Sequence, residues 1–132
     1  MQLQPQQPKV TYVAKRDPDD NVVTARKLTV SPDLEWRFST LSPRLDLRNH
    51  SPTGFNLAGQ GSGCAQLALA ILVDAIGPER AIDLYQKFKR DFVARSGEDE
   101  FQVTLEAVQK WVDGQAPPMT DALDAWGKSL GE

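Results

Sequence analysis

The chain has 132 residues, one domain's worth of sequence, with 40% hydrophobic and 25% charged side chains. Fifteen Lys+Arg against 18 Asp+Glu leave a net charge of −3, which disfavours a cationic wrap around nucleic acid. One cysteine, Cys64, excludes an internal disulfide and a Cys-based zinc finger, and one histidine, His50, excludes a His-rich metal site. No run reaches the roughly 18–20 apolar residues of a membrane span, and the opening MQLQPQQPK lacks the apolar stretch of a secretory leader. A cytoplasmic chain with no membrane association is expected.

Residues 1–9 are rich in Gln and Pro and read as a tail with too little apolar surface to order itself. Residues 10–16 and 22–30 are rich in Val, Thr and Tyr and read as two strands. The five-residue loop 17–21 between them carries Pro18 and turn-tolerant Asp and Asn, so the pair should form a hairpin. The apolar period slips at Arg26-Lys27, which predicts a bulge there. Leu34, Trp36 and Phe38 alternate strictly with polar residues, predicting a third strand with Trp36 in the core. Residues 40–63, with two prolines and four glycines, form a long irregular segment of the kind that often carries function.

Residues 64–76 are apolar almost all round, broken only by Gln66 and Asp74, which predicts a short buried helix. Gly77-Pro78 ends it and starts a second helix to about Arg95. That helix has opposite-charge pairs four apart at Asp83–Lys87, Lys87–Asp91 and Asp91–Arg95. Residues 101–103 are a short extended candidate. Thr104 can cap a third helix with Leu105, Val108, Trp111 and Val112 as its apolar stripe, closed by Gly114. After a Pro117-Pro118 spacer, Thr120 can cap a last helix with Leu123, Trp126 and Leu130. The expected fold class is α+β: an N-terminal antiparallel meander of two or three strands, then three or four helices around a buried central one. The expected organisation is a tail over 1–9, one domain over 10–114 and a Pro-tethered helix over 115–132.

Three ordered blocks are distinctive: Pro43-Arg44-Leu45-Asp46-Leu47-Arg48-Asn49-His50-Ser51-Pro52-Thr53-Gly54-Phe55, then Gly61-Ser62-Gly63-Cys64-Ala65-Gln66-Leu67-Ala68-Leu69-Ala70, then Leu84-Tyr85-Gln86-Lys87-Phe88-Lys89. Across about 10–113 the chain resembles an uncharacterised family of small bacterial, archaeal and phage proteins. Its members carry P-R-L-D-L-x-N-H-S-P-x-G-F, then G-S-G-P-A-Q-L-A-L-A, then L-Y-Q-x-F-K. The resemblance implies a fold and a prokaryotic or phage context but no activity. Cys64 stands where that family tends to have Pro, and residues 56–60 depart from its W-x-Y-G-G.

The candidate chemistry centres on the long segment. The glycines of 59–63 feed into a helix whose N-terminal N–H groups favour an anion, so Gly61, Ser62, Gly63 and Cys64 with Arg48, His50 and Ser51 are candidate ligand-binding residues. The competing reading is a tight turn that lets the helix pack closely. No Lys-Ser/Thr follows the glycines, so this is not a Walker loop. Cys64 with His50 as base and Asp46 as orienter would make a nucleophilic triad. The competing reading is a small buried cysteine, and the Pro found there in the resembling family cannot be a nucleophile. The polar cluster 46–51 can equally tie the loop down by bonding its backbone. No catalytic residue, metal or cofactor is therefore assigned.

Charge is uneven: +2 over residues 1–66 and −5 over 67–132. Residues 98–132 hold two bases against eight acids. Glu98, Asp99, Glu100, Asp121, Asp124 and Trp126 are candidate contacts for another protein, the partner class expected here in preference to nucleic acid. The expected function is a small non-enzymatic binding or regulatory protein of a prokaryote, phage or mobile element, an inhibitor of a host or defence protein being within that class. The alternative is an enzyme or anion-binding protein built on the Gly-rich loop.

Overall fold

A computed structural model describes residues 7–52, 54–59 and 61–115. In chain order it has β1 (Lys9–Arg16), β2 (Val23–Val30), β3 (Trp36–Thr40), α1 (Ser62–Ile76), α2 (Pro78–Asp91), a 3-10 turn (Val93–Arg95), β4 (Glu100–Thr104) and α3 (Leu105–Asp113). The strands form one antiparallel sheet in the order β3-β2-β1-β4. The fold is α+β, as the residue pattern suggested, with a fourth strand that joins β1 after two helices.

The β1–β2 loop closes through Asp17 N–H to the Val22 carbonyl (2.9 Å). Asp17 Oδ1 accepts from Asp19 N–H and Asp20 Oδ1 from Val22 N–H, while Asn21 takes the left-handed conformation such short polar residues tolerate. Pairing then runs without interruption from Arg16↔Val23 to Lys9↔Val30, so the expected bulge at Arg26-Lys27 is absent. The slipped period has a different cause: both faces of β2 carry apolar side chains. Val23 and Ala25 are buried under the helices, whereas Leu28 faces the opposite side of the sheet.

That opposite side is open, and it corrects the placing of Trp36. One face of the sheet, carrying Tyr12, Ala14, Val23, Ala25, Phe101 and Val103, joins the buried core with α1, α2 and α3. Register puts Phe38 beside Leu28 and Trp36 beside Val30, on the uncovered face. Trp36 is 65% exposed and Phe38 56%. Alternation reports that a strand has two unlike faces; it does not say which one the helices cover.

α1 is buried from Gly63 to Val73, as expected of a helix without a polar face. Gly77, at φ 88°, ends α1 through its N–H to the Val73 carbonyl and accepts from Ala81 to open α2, with Pro78 in the first turn. α2 stops at Asp91, short of Arg95. The chain leaves helical geometry at Phe92 and buries Val93 completely through the 3-10 turn. Asp91 accepts from Trp111 Nε1 (2.9 Å) and pairs with Arg90, while of the expected partners Lys87 acts on it through its charge without a close ion pair. Trp111 packs edge-on against Phe88 and Phe92, with ring centroids 5.3 and 6.0 Å away. Thr104 Oγ1 accepts from Ala107 N–H and caps α3 as expected. The expected last helix over Thr120–Leu130 lies outside the described residues.

Candidate functional site

The long segment lies across α1, and Gln66 holds it there. This amide is fully buried inside a helix of aliphatic side chains. A buried amide needs partners for two acceptor sites and two N–H donors. Oε1 accepts from the backbone N–H of His50 (2.8 Å) and Ser51 (3.1 Å). Nε2 donates to the carbonyls of Pro43 (2.5 Å) and Arg48 (2.9 Å). All four valences are filled by one stretch of loop, which receives the backbone partners it would otherwise take from secondary structure.

The neighbouring polar side chains are similarly engaged. Arg44 donates twice to Asp46, each bond 3.0 Å, and the guanidinium holds the Asp46 carboxyl below the usual carboxylate range. Arg48 Nη1 donates to the Leu47 carbonyl (2.7 Å). His50 Nε2 lies 2.6 Å from the Tyr85 hydroxyl, with the rings tilted at 42° and centroids 5.5 Å apart. The distinctive first and third blocks thus meet in a His50–Tyr85 contact, and the first and second in Gln66.

The Cys64–His50–Asp46 arrangement is not assembled. Asp46 is held by Arg44, and His50 by Tyr85. Cys64 is 1% exposed, and burial pushes its thiol up despite opposing hydrogen bonds from the backbone around Gly59 and Gly61. A helix N-terminus lowers a thiol's pKa only where the thiolate is solvated, and here desolvation is the largest effect.

At the start of α1, a side chain at Gly63 would place Cβ 2.7 Å from Asn56 Cβ and 2.8 Å from Asn56 N. Gly63 therefore admits the loop backbone against the helix; around Gly61 there is no such crowding. Asn56 in turn accepts from Arg16 Nη2 (2.7 Å). Arg16 also donates to the carbonyls of Glu98 (2.9 Å) and Asn21 (3.1 Å), joining the hairpin loop, residue 56 and the turn before β4. Gly61 and Ser62 are exposed, and Ser51 is half-buried.

The acidic candidates divide. Glu98 and Asp99 are exposed on the turn before β4, and Glu100 is the exposed first residue of the strand. Glu100 lines a groove of about 530 Å³ on the open sheet face, with Thr11, Val13, Lys15, Thr24, Arg26, Leu28, Phe38 and Gln102. Asp121, Asp124 and Trp126 lie outside the described residues. Arg26 sits over the Phe38 ring, 5.9 Å from its centroid.

This groove is what sequence reasoning missed. Of the large apolar side chains left exposed among the described residues, Trp36 and Phe38 lie on β3, Leu34 on the turn just before it, and Val22 elsewhere. The available signal was charge at both intervening positions, Glu35 and Arg37, on a strand with an apolar alternate set.

Among the described residues no cluster of His, Cys, Asp or Glu is placed to hold a metal ion, and no helix is long and apolar enough to cross a membrane. Fold and site together define a small α+β protein whose long loop is locked to a buried helix by one amide side chain. The chain belongs to DUF6166, a family of unknown function whose model covers residues 12–114. No curated protein and no solved structure matches it.

Proposed function

We propose that the chain is a small non-enzymatic binding or regulatory protein of a prokaryote, phage or mobile element that acts inside the cell on another protein. An inhibitor of a host or defence protein falls within this class. The observation that carries the reading is the open sheet face, where Val13, Leu28 and Phe38 form an apolar floor beside exposed Trp36. Apolar surface gathered on one face is characteristic of a docking site. The state of the loop supports the same reading, because its backbone is held to α1 by Gln66 and the Asp46, Arg48 and His50 side chains are engaged by Arg44, the Leu47 carbonyl and Tyr85.

The partner's chemistry follows from the groove. Apolar side chains would cover Val13, Leu28 and Phe38. A carboxylate would meet Lys15 and Arg26, which form no ion pair among the described residues. The test is affinity capture from the native host, comparing the unaltered chain with Phe38→Ala/Arg26→Glu and with Arg48→Ala. A protein retained by the unaltered chain and by Arg48→Ala, and lost from the double variant, is the expected result. Capture that does not distinguish the three baits overturns the reading.

A further inference from the structure

The edge strand β3 is exposed at every position, although its side chains alternate between apolar and charged or polar. An uncovered apolar edge invites pairing with another chain. We propose that β3 pairs with β3 of a second copy of this protein, antiparallel about a two-fold axis at Trp36. The proposal is independent of the partner-binding reading above, because it concerns the strand's edge and needs no other protein.

The backbone direction comes first. Leu41 N–H bonds the Ala25 carbonyl (3.0 Å), and Ser31 N–H bonds the Glu35 carbonyl (2.9 Å). Continued along the register, odd-numbered residues exchange hydrogen bonds with β2. In an antiparallel pair the alternate residues turn their N–H and C=O away from the partner. Those of Trp36 and Phe38 therefore point outward from the sheet edge and are available to a new strand.

The side chains then select the register. Laid against itself in reverse about Trp36, the segment Glu35-Trp36-Arg37 is complementary at every position. Trp36 faces Trp36 of the second copy, and their backbones exchange both hydrogen bonds. Glu35 faces Arg37 of the second copy, and Arg37 faces its Glu35. These are the closely spaced pairs of an antiparallel ladder, about 4.5 Å between Cα atoms. The ladder ends there, because Leu34 is left-handed at φ 68° and its N–H already bonds the Ser31 carbonyl. A two-fold at Arg37 would oppose two guanidinium groups, which destabilises a sheet, and one at Phe38 would leave Arg37 opposite the uncharged Ser39 and form no charge pair. Within one copy Glu35 and Arg37 are 3.7 Å apart, with side chains 65% and 81% exposed, so both are accessible to a second strand. An isologous contact of this kind, in which each residue meets its counterpart's partner, is what two-fold symmetry requires. The result is one sheet running through both copies, with both open faces on the same side.

The experiment is sedimentation equilibrium on the purified full chain from micromolar to millimolar concentration, with Glu35→Arg, Arg37→Glu and the double swap. The unaltered chain should show a concentration-dependent dimer. Either single reversal places like charges opposite one another twice per dimer and should weaken association by roughly ten-fold or more. The double swap restores both pairs with exchanged signs and should recover the original constant to within about three-fold. Far-UV circular dichroism checks that each variant folds. A chain that stays monomeric throughout overturns the proposal. So do single reversals that dimerise like the unaltered chain, and so does a double swap as weak as the singles. None of these results bears on capture through Phe38 and Arg26.

Discussion

Replacing Gln66 with Met keeps the length of the side chain and removes all four of its hydrogen bonds. Two of those bonds serve the N–H groups of His50 and Ser51, and two serve the carbonyls of Pro43 and Arg48, at 2.5–3.1 Å. A net contribution of about 0.5–1.5 kcal/mol per bond would give roughly 2–6 kcal/mol. Residues 43–51 are half-buried or exposed, so water can replace part of what is lost. The expected loss is therefore about 2–4 kcal/mol, a large share of the roughly 5–15 kcal/mol that stabilises a domain. Urea titration should show a lower midpoint with an unchanged slope, since the buried surface is nearly the same. Native-state hydrogen exchange should show His50 and Ser51 amides losing protection before those of α1. A destabilisation below about 1 kcal/mol, or unchanged exchange at those two amides, would refute the assignment of Gln66 as the group that holds the loop.

Gly63→Ala gains helix propensity but forces Cβ onto the Asn56 backbone. It should lower stability by about 1–3 kcal/mol in a thermal melt, while Gly61→Ala, with open space around it, should be near neutral. Cys64 is buried with its thiol pushed up, so a thiol reagent at neutral pH should label native protein far more slowly than urea-unfolded protein; equal rates would contradict the burial. The Trp111 indole N–H holds the Asp91 carboxyl below its ordinary range. A depressed folded value means this contribution is present above the unfolded carboxylate's pKa and is lost as pH falls through the folded one. Trp111→Phe should flatten the acid side of the stability profile in that window, and an unchanged slope would show that the hydrogen bond does not set it.

Much of the scaffold is legible because it depends on local chemistry. The polar loop 17–21 reports the hairpin, the missing polar face of 64–76 reports a buried helix, and Gly77-Pro78 reports the junction between two helices. Thr104 reports its cap in the same way. The failures involve partners distant in the chain. Trp36 lies on an apolar stripe, but whether a helix covers that stripe depends on where α1 to α3 settle. Gln66 reads as one polar interruption of a helix until residues 43–51 are seen to cross it. Asp91 has suitable cations four positions away on either side, yet a tryptophan from another helix takes its carboxylate. The candidate residues Asp46, Arg48 and His50 could be picked out as a polar cluster. Their roles could not, because Arg44, the Leu47 carbonyl and Tyr85 engage them only once the chain has folded back.

The place of β4 bears on how the molecule is made. β1 is synthesised before β4, and its pairing with β2 needs only the short loop between them. Its other edge waits for Thr104 to reach Thr11 and Glu100 to reach Lys15, after both α1 and α2 have been added. Until then an interior strand of the finished sheet is an edge, and an unpaired edge can take a strand from a neighbouring chain. Sequence changes that slow the turn at 96–99, where Arg16 grips the carbonyls of Glu98 and Asp99, would prolong that exposure. They would appear first as poor recovery during expression or as exchange of β4 between molecules, before any loss of stability in the completed fold.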